Sequence, residues 1–368
     1  MPQALFIGLM SGTSTDGVDA VLADFSTASK PAVLASASLP MPAALREEFL
    51  ALNIAGPNEL ARAALAGNAL AELYATATQD LLAQTGIAPD AIQAIGAHGQ
   101  TVRHDPAAGY TIQINAPALL AERTGIDVIA DFRSRDVAAG GQGAPLVPAF
   151  HHALFANQQA RAVLNLGGIA NVTLLSPDGK IRGFDTGPAN VLLDLWVQAK
   201  TGQTYDAGGI WAGTGQVNIA LLEFLLRSEP WFEQAPPKST GRDLFNWEWL
   251  MQRLAAFDGP SLADNDIQAT LQRLTAETIA QAIGRYAPDT KDMLVCGGGA
   301  LNDGLMQDLQ RAMPCPVYAT SALNMPVQLV EALAFAWLAW AHVSGYRAGL
   351  PDVTGARQAS ILGCRYPA

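Results

Sequence analysis

Residues 8–24 read GLMSGTSTDGVDAVLAD, and this stretch decides the fold. An apolar run enters a turn of small residues, Ser11-Gly12-Thr13-Ser14-Thr15-Asp16-Gly17, and a second apolar run leaves it at Val18. Two strands joined by such a turn offer backbone N–H groups and hydroxyls to an anion, with Asp16 and Asp19 beside them for a hard cation. Glycine alone would serve a plain tight hairpin through its backbone freedom. That reading leaves Ser11, Thr13, Ser14, Thr15 and Asp16 unexplained, so residues 12–19 read as a phosphate cradle. Asp16 or Asp19 would hold Mg²⁺ through water, because this ion keeps much of its hydration shell.

The bulk numbers fit that direction. A chain of 368 residues, half of them apolar and 15% charged, has material for two large cores rather than one. The net charge of −11 and the lack of a basic patch argue against a nucleic-acid partner. Cys296, Cys315 and Cys364 are few, odd in number and far apart, which suits a reducing compartment and gives no zinc spacing. No basic segment precedes the first apolar run, and the longest apolar run, residues 332–341, falls short of the about 20 residues a membrane helix needs. The expectation is a soluble cytoplasmic protein with no membrane partner.

Beyond the first hairpin, residues 43–84 carry helical spacing, and residues 91–96, 110–115 and 126–131 read as strands. The loop FRSRDVAAGGQGAPLVP then offers Arg133, Arg135 and Asp136 ahead of a glycine run. Its residues 140–148 are a candidate hinge for closure on ligands. A second unit of the same kind follows: strand 162–166, the turn Gly167-Gly168, strand 169–175, a turn at SPDGK, and strand 181–185. A helix is expected from about Ala189, others over 219–226, 247–256, 267–286 and 327–342, a strand over 293–296 running into Gly297-Gly298-Gly299, and a last short strand over 359–364. Strand–glycine turn–strand thus occurs twice, each time opening a mixed α/β unit.

Gly167-Gly168 with Asn171 is either a second phosphate turn or a plain hairpin. Gly297 and Gly298, with Asn302 after them, either let a flat ligand approach the backbone or serve packing. Taken with the first hairpin, the segments compose one ATP site. Asp185 ends a strand just before a helix start. The helix N-terminus would favour its ionised form and make it a base; the bland alternative is a helix cap. His98 and Gln100, in AHGQTVRH, are either sugar-hydroxyl ligands or structural groups.

These motifs in this order (GLMSGTSTDGVD, GAHGQTVRH, DFRSRDVAAGGQGAPLVP, NLGGIANVT, GFDTGPAN, VCGGGALN) are similar to those of the anhydro-N-acetylmuramic acid kinases, over residues 6–363. The resemblance implies a two-domain actin-like ATPase fold of the sugar kinase and heat-shock superfamily, α/β throughout. Each domain would have a ribonuclease H-like core of mixed sheet flanked by helices, with a cleft for ATP. The domains would be residues 1–133 with about 345–368, and 134–344. The implied reaction opens 1,6-anhydro-N-acetylmuramic acid with water and phosphorylates O6, using ATP and Mg²⁺, in peptidoglycan recycling; a homodimer is implied as well. The wider superfamily carries an acid at the end of its first strand, whereas here that place reads Leu9-Met10-Ser11, which leaves Asp16 as the nearest acid. On this reading Asp185 activates the water. Arg133 or Arg135 clamps the lactyl carboxylate or fixes Asp185, and Ser11, His98, Gln100 and Asn190 contact the sugar. Two competitors are an ordinary hexose hydroxyl kinase and a heat-shock-like ATP-driven binding module.

Overall fold

The computed structural model describes residues 4–12, 15–27 and 30–368. Its contacts divide the chain into two units, residues 1–154 with 329–368, and 155–328.

Unit 1 is built on a six-stranded sheet of β1 (Leu5–Met10), β2 (Gly17–Asp24), β3 (Ala32–Pro40), β4 (Ile92–Ala97), β7 (Val128–Ala130) and β13 (Cys364–Tyr366), in the order β13-β7-β4-β1-β2-β3. β1, β2 and β3 run antiparallel in sequence, and β4 and β7 add parallel on the other side of β1. A separate hairpin pairs β5 (Gln100–Asp105) with β6 (Tyr110–Ile114). The helices are α1 (Ala43–Leu52), α2 (Glu59–Thr85), α3 (Pro117–Thr124), α4 (Ser134–Ala138), α5 (Val147–Phe155), α11 (Val330–Val343) and α12 (Pro351–Thr354).

The alternation of β1 and β2 sends Leu5, Ile7, Leu9, Val18, Ala20 and Leu22 into one core, shared with Leu70, Tyr74 and Ala77 of α2. The opposite face is covered by α11, which packs on β1, β2 and β4. Gly8 of β1 and Gly96 of β4 are register partners. A Cβ on Gly8 would fall well under 3.0 Å from the carbonyl oxygen of Ala332, and one on Gly96 equally close to that of Phe335. Two adjacent glycines therefore form the groove in which the helix backbone lies.

Unit 2 holds a five-stranded sheet of β8 (Arg161–Leu166), β9 (Ile169–Leu175), β10 (Ile181–Pro188), β11 (Asp292–Cys296) and β12 (Val317–Ala319), in the order β10-β9-β8-β11-β12. Again the first three strands are antiparallel in sequence and the last two add parallel on the far side of the first. This is the plan of unit 1 without β13, and it is the ribonuclease H-like arrangement implied by the resemblance. Its helices are α6 (Asn190–Thr201), α7 (Ile219–Ser228), α8 (Trp247–Ala256), α9 (Asp264–Tyr286) and α10 (Asp303–Ala312). One core lies among β8–β11, α9 and α10, and a second, aromatic one gathers Trp196, Trp231, Phe245 and Trp249.

The unit boundaries fall later on the first crossing and earlier on the return than the expected 133 and 344, because α5 stays with unit 1 and α11 is the cover of its sheet. The segment proposed as a hinge, residues 140–148, lies inside unit 1 and is bonded there: Gly143 N–H to Asp136 Oδ2 at 2.7 Å and Gln142 N–H to the Thr354 carbonyl at 2.8 Å. The last strand begins at Cys364 rather than spanning 359–364. Among the described residues no helix is long and apolar enough to cross a membrane.

Candidate active site

In unit 1 the first turn closes with Thr15 N–H donating to the Gly12 carbonyl at 3.1 Å, Thr15 itself being in the left-handed region at φ 53°. Thr13 and Ser14 lie outside the described residues. Gly17 and Val18 already belong to β2. Val18 is core, and a Cβ on Gly17 would meet the Leu39 carbonyl of β3 at 2.5 Å, so this glycine serves strand packing. Asp16 is exposed at the turn. Asp19 accepts the Ser38 hydroxyl at 2.5 Å; burial pushes its carboxyl up, the Ser38 bond pulls it down, and the charge of Asp16 raises it further. No group of three or more His, Cys, Asp or Glu gathers as a metal site among the described residues. Asp19, with the charge of Asp16 acting on it, still fits Mg²⁺, which binds through one or two carboxylates, water and phosphate.

Behind that turn the expected sugar contacts form one chain of bonds. Ser11 Oγ donates to Gln100 Oε1 at 2.5 Å, and both residues are buried. His98 Nδ1 lies 3.1 Å from the Ser11 carbonyl, and its Nε2 lies 2.9 Å from Arg133 Nη2. Arg133 can only donate, so Nε2 accepts and Nδ1 carries the proton. Burial, then the Arg133 charge, hold the ring neutral with a pKa of about 3. Arg133 Nη1 donates to the Gly143 carbonyl at 2.9 Å, while its buried Nε has no partner among the described residues. Burial lowers the guanidinium to about 10, against Glu331 and Asp136, the anions that favour its charge. Arg135 is exposed on α4. Of the two arginines, Arg133 is therefore the pre-oriented one, with a donor in reserve. His98, Ser11 and Gln100 support it. Glu331 was missed in sequence because it opens an otherwise apolar helix.

In unit 2, register lines up a polar row. Asp185 of β10 faces Asn171 of β9, Asn171 faces Asn165 of β8, and Asn165 pairs with Cys296 of β11. Paired residues on neighbouring strands share a sheet face. Asn171, expected at a phosphate turn, is thus the direct neighbour of Asp185. The hairpin carbonyls take up the first turn of α6: Gly168 O accepts Ala189 N–H at 2.9 Å, and Gly167 O accepts Asn190 N–H at 3.1 Å. The Asn190 side chain donates to the Leu166 carbonyl at 3.2 Å and so ties helix to hairpin. Gly297 has φ 83°, and a Cβ there would meet the Leu166 carbonyl at 2.7 Å. Gly298 is exposed with open space above it, as a flat ligand requires. Gly167, Gly168, Gly297 and Gly298 are therefore neighbours around the end of β8. Asn302 accepts Leu305 N–H at 2.9 Å as the N-cap of α10.

Asp185 is not at a helix start. β10 continues through Pro188, and α6 begins at Asn190. The expectation that a helix terminus favours its ionised form is corrected: burial dominates and pushes the carboxyl up to about 7, against the Thr240 N–H bond and the Lys238 charge. Oδ2 accepts Thr240 N–H at 2.9 Å, and Oδ1 has no partner among the described residues. The segment supplying these groups, residues 236–240, lies more than 50 positions away and offered no motif.

The sequence profile of the anhydro-N-acetylmuramic acid kinases matches residues 4–368. The chain belongs to that family. An anhydro-N-acetylmuramic acid kinase of Bordetella parapertussis is 66% identical over all of this chain and 97% of its own length, and one from Variovorax paradoxus is 55% identical over the whole of both. Among solved structures, the activator of the 2-hydroxyisocaproyl-CoA dehydratase from Clostridium difficile with bound ADPNP is similar at TM-score 0.48 and 12% identity, over 93% of this chain and 96% of that one. A ROK family glucokinase from Streptomyces griseus gives 0.41 and 13%, over 90% and 98%.

Proposed function

We propose that this chain opens 1,6-anhydro-N-acetylmuramic acid with water and phosphorylates O6 from ATP, giving N-acetylmuramic acid 6-phosphate and ADP. Family membership supports the substrate, and the surroundings of Asp185 support the chemistry. O6 of this sugar bridges to C1, so there is no hydroxyl to deprotonate. Water attacks C1 as the C1–O6 bond breaks, Asp185 Oδ1 takes the water proton, and O6 captures the γ-phosphoryl group as ADP leaves. A base with a pKa near neutrality and one unengaged oxygen suits that step. Arg133, held by His98 and Gly143, is the donor for the lactyl carboxylate, with Ser11 and Gln100 fixing His98 rather than meeting the sugar.

In unit 2 the glycine turns at 167–168 and 297–298 offer their backbone to the nucleotide, and in unit 1 the first hairpin offers a phosphate cradle. Asp16 and Asp19 would hold Mg²⁺, which supplies charge neutralisation on the phosphates when bound. The deciding experiment runs the reaction in ¹⁸O-labelled water: the label should appear at C1 and none in the transferred phosphate. Product without label would instead mark an ordinary hydroxyl kinase.

The base assignment also sets the pH profile. A protonated carboxyl cannot accept the water proton, so turnover should fall as pH drops through about 7 and level off above it. A profile flat from pH 5.5 to 8.5 would remove a carboxylate of this kind from the rate-limiting step.

A further inference from the structure

The loop that contacts Asp185 is itself tethered through one side chain. Lys238 Nζ donates to the Phe232 carbonyl at 3.0 Å and lies 3.4 Å from that of Trp231, with the ammonium 4.1 Å from the centroid of the Trp231 ring. Trp231 in turn donates its indole N–H to the Ser239 carbonyl at 3.2 Å. Lysine and tryptophan therefore clasp residues 236–240 to the turn Pro230–Glu233 from both directions. The same loop meets β10 twice, since Asp185 N–H donates to the Lys238 carbonyl at 3.1 Å and Thr240 N–H donates to Asp185 Oδ2 at 2.9 Å. The Thr240 hydroxyl beside it is buried with no partner among the described residues.

We propose that Lys238 is a positioning residue of this reaction: its ammonium pins the 236–240 loop to the Trp231 and Phe232 carbonyls, so that Thr240 N–H is held on Asp185 and a positive charge stands near the base. The inference rests on Asp185 being that base. A loop N–H fixed on Oδ2 selects Oδ1 as the oxygen that receives the proton. The nearby cation keeps a buried carboxylate available at neutral pH.

The other charged groups facing Lys238 act in opposite directions. Glu233 and Arg285 are paired at 2.8 Å, the former favouring the ammonium and the latter opposing it. Tyr286 of the same helix turns its hydroxyl to the Gln234 carbonyl at 3.5 Å. On the Asp185 side the register neighbour is the neutral Asn171. Lys238 is thus the cation acting on Asp185, in agreement with the direction each exerts on the other.

The test is Lys238→Met, which keeps an unbranched side chain and removes the charge, with Lys238→Gln as a second neutral variant should the first not fold. Asp185 is titrated directly through ¹³C-labelled aspartate carboxyls, its signal assigned by its loss in Asp185→Asn. The pH profile of kcat is measured alongside. Loss of a nearby opposite charge should move the carboxyl midpoint up by about one unit, and the acid limb of kcat with it, so that turnover at pH 6 falls about tenfold further than in the parent. A midpoint unchanged in the folded variant overturns the proposal. A midpoint that rises while the rate profile stays in place upholds the hold of Lys238 on Asp185 and removes Asp185 as the base.

Discussion

Asp185→Asn should still bind ATP and lose turnover by roughly three orders of magnitude or more, the range that removal of a general base reaches. The change is nearly isosteric, and the amide oxygen can go on accepting the Thr240 N–H, so the site keeps its shape while losing the group that accepts the water proton. Stability offers a control with an opposite sign. Burial raises the folded carboxyl to about 7 from 3.8, so folding opposes ionisation. That penalty sets in as pH rises above 3.8, is complete above about 7, and is absent in strong acid. Asp185→Asn removes it, so at pH 8 the variant should melt no lower than the parent. Single-turnover assays with nucleotide binding measured in parallel decide the matter. Turnover close to the parent's would take Asp185 out of the mechanism, whereas lost activity accompanied by a lower melting temperature would point to a folding defect.

Gly96→Val is the second large effect, and it acts on the fold alone. Many glycines here take positive φ, but Gly96 lies within β4, beside its register partner Gly8. The space its side chain would take is occupied by the Phe335 carbonyl and the Ala339 methyl of α11. A flexible side chain could swing away; a helix backbone packed on three strands cannot. The cost should reach the upper end of overpacking, about 3 kcal/mol or more. For a unit of this size that lowers the melting temperature by roughly 6–12 °C. Gly8→Val should do the same through Ala332. A melting curve within about 2 °C of the parent's would mean that α11 can lift from the sheet without loss.

Much of this was legible in the residues. The two hairpins, the Gly297 turn and α8 stand where the apolar runs and glycines placed them, because a strand buried on both faces announces itself by composition. β3 went unread: its AVLASASLP alternates residues of too little contrast, and it is an edge strand half open to solvent. The contact units differ from the expected domains at α11, a helix buried on nearly every side, which carries no period to say which sheet it covers. Asp185 stood out in the sequence, but its ionisation was read from a helix start that lies five residues further on. Burial governs that ionisation, opposed by Thr240 and Lys238 of a loop whose approach only tertiary structure creates. His98 and Gln100 were visible as polar groups at a strand end. Their mutual bonds through Ser11, and the contact of His98 with Arg133, were not.

The discontinuity of unit 1 bears on how a ribosome delivers this chain. Residues 155–328 form a contiguous unit that can reach its final state soon after emerging. The earlier-made residues 1–154 cannot: the face of β1 and β4 that carries Gly8 and Gly96 stays bare until α11 has been translated, and β7 lacks its β13 neighbour until position 366. The half that is synthesised first is therefore completed last. For the length of 174 codons a glycine-lined apolar surface waits for its lid, the interval in which a nascent chain most needs a chaperone.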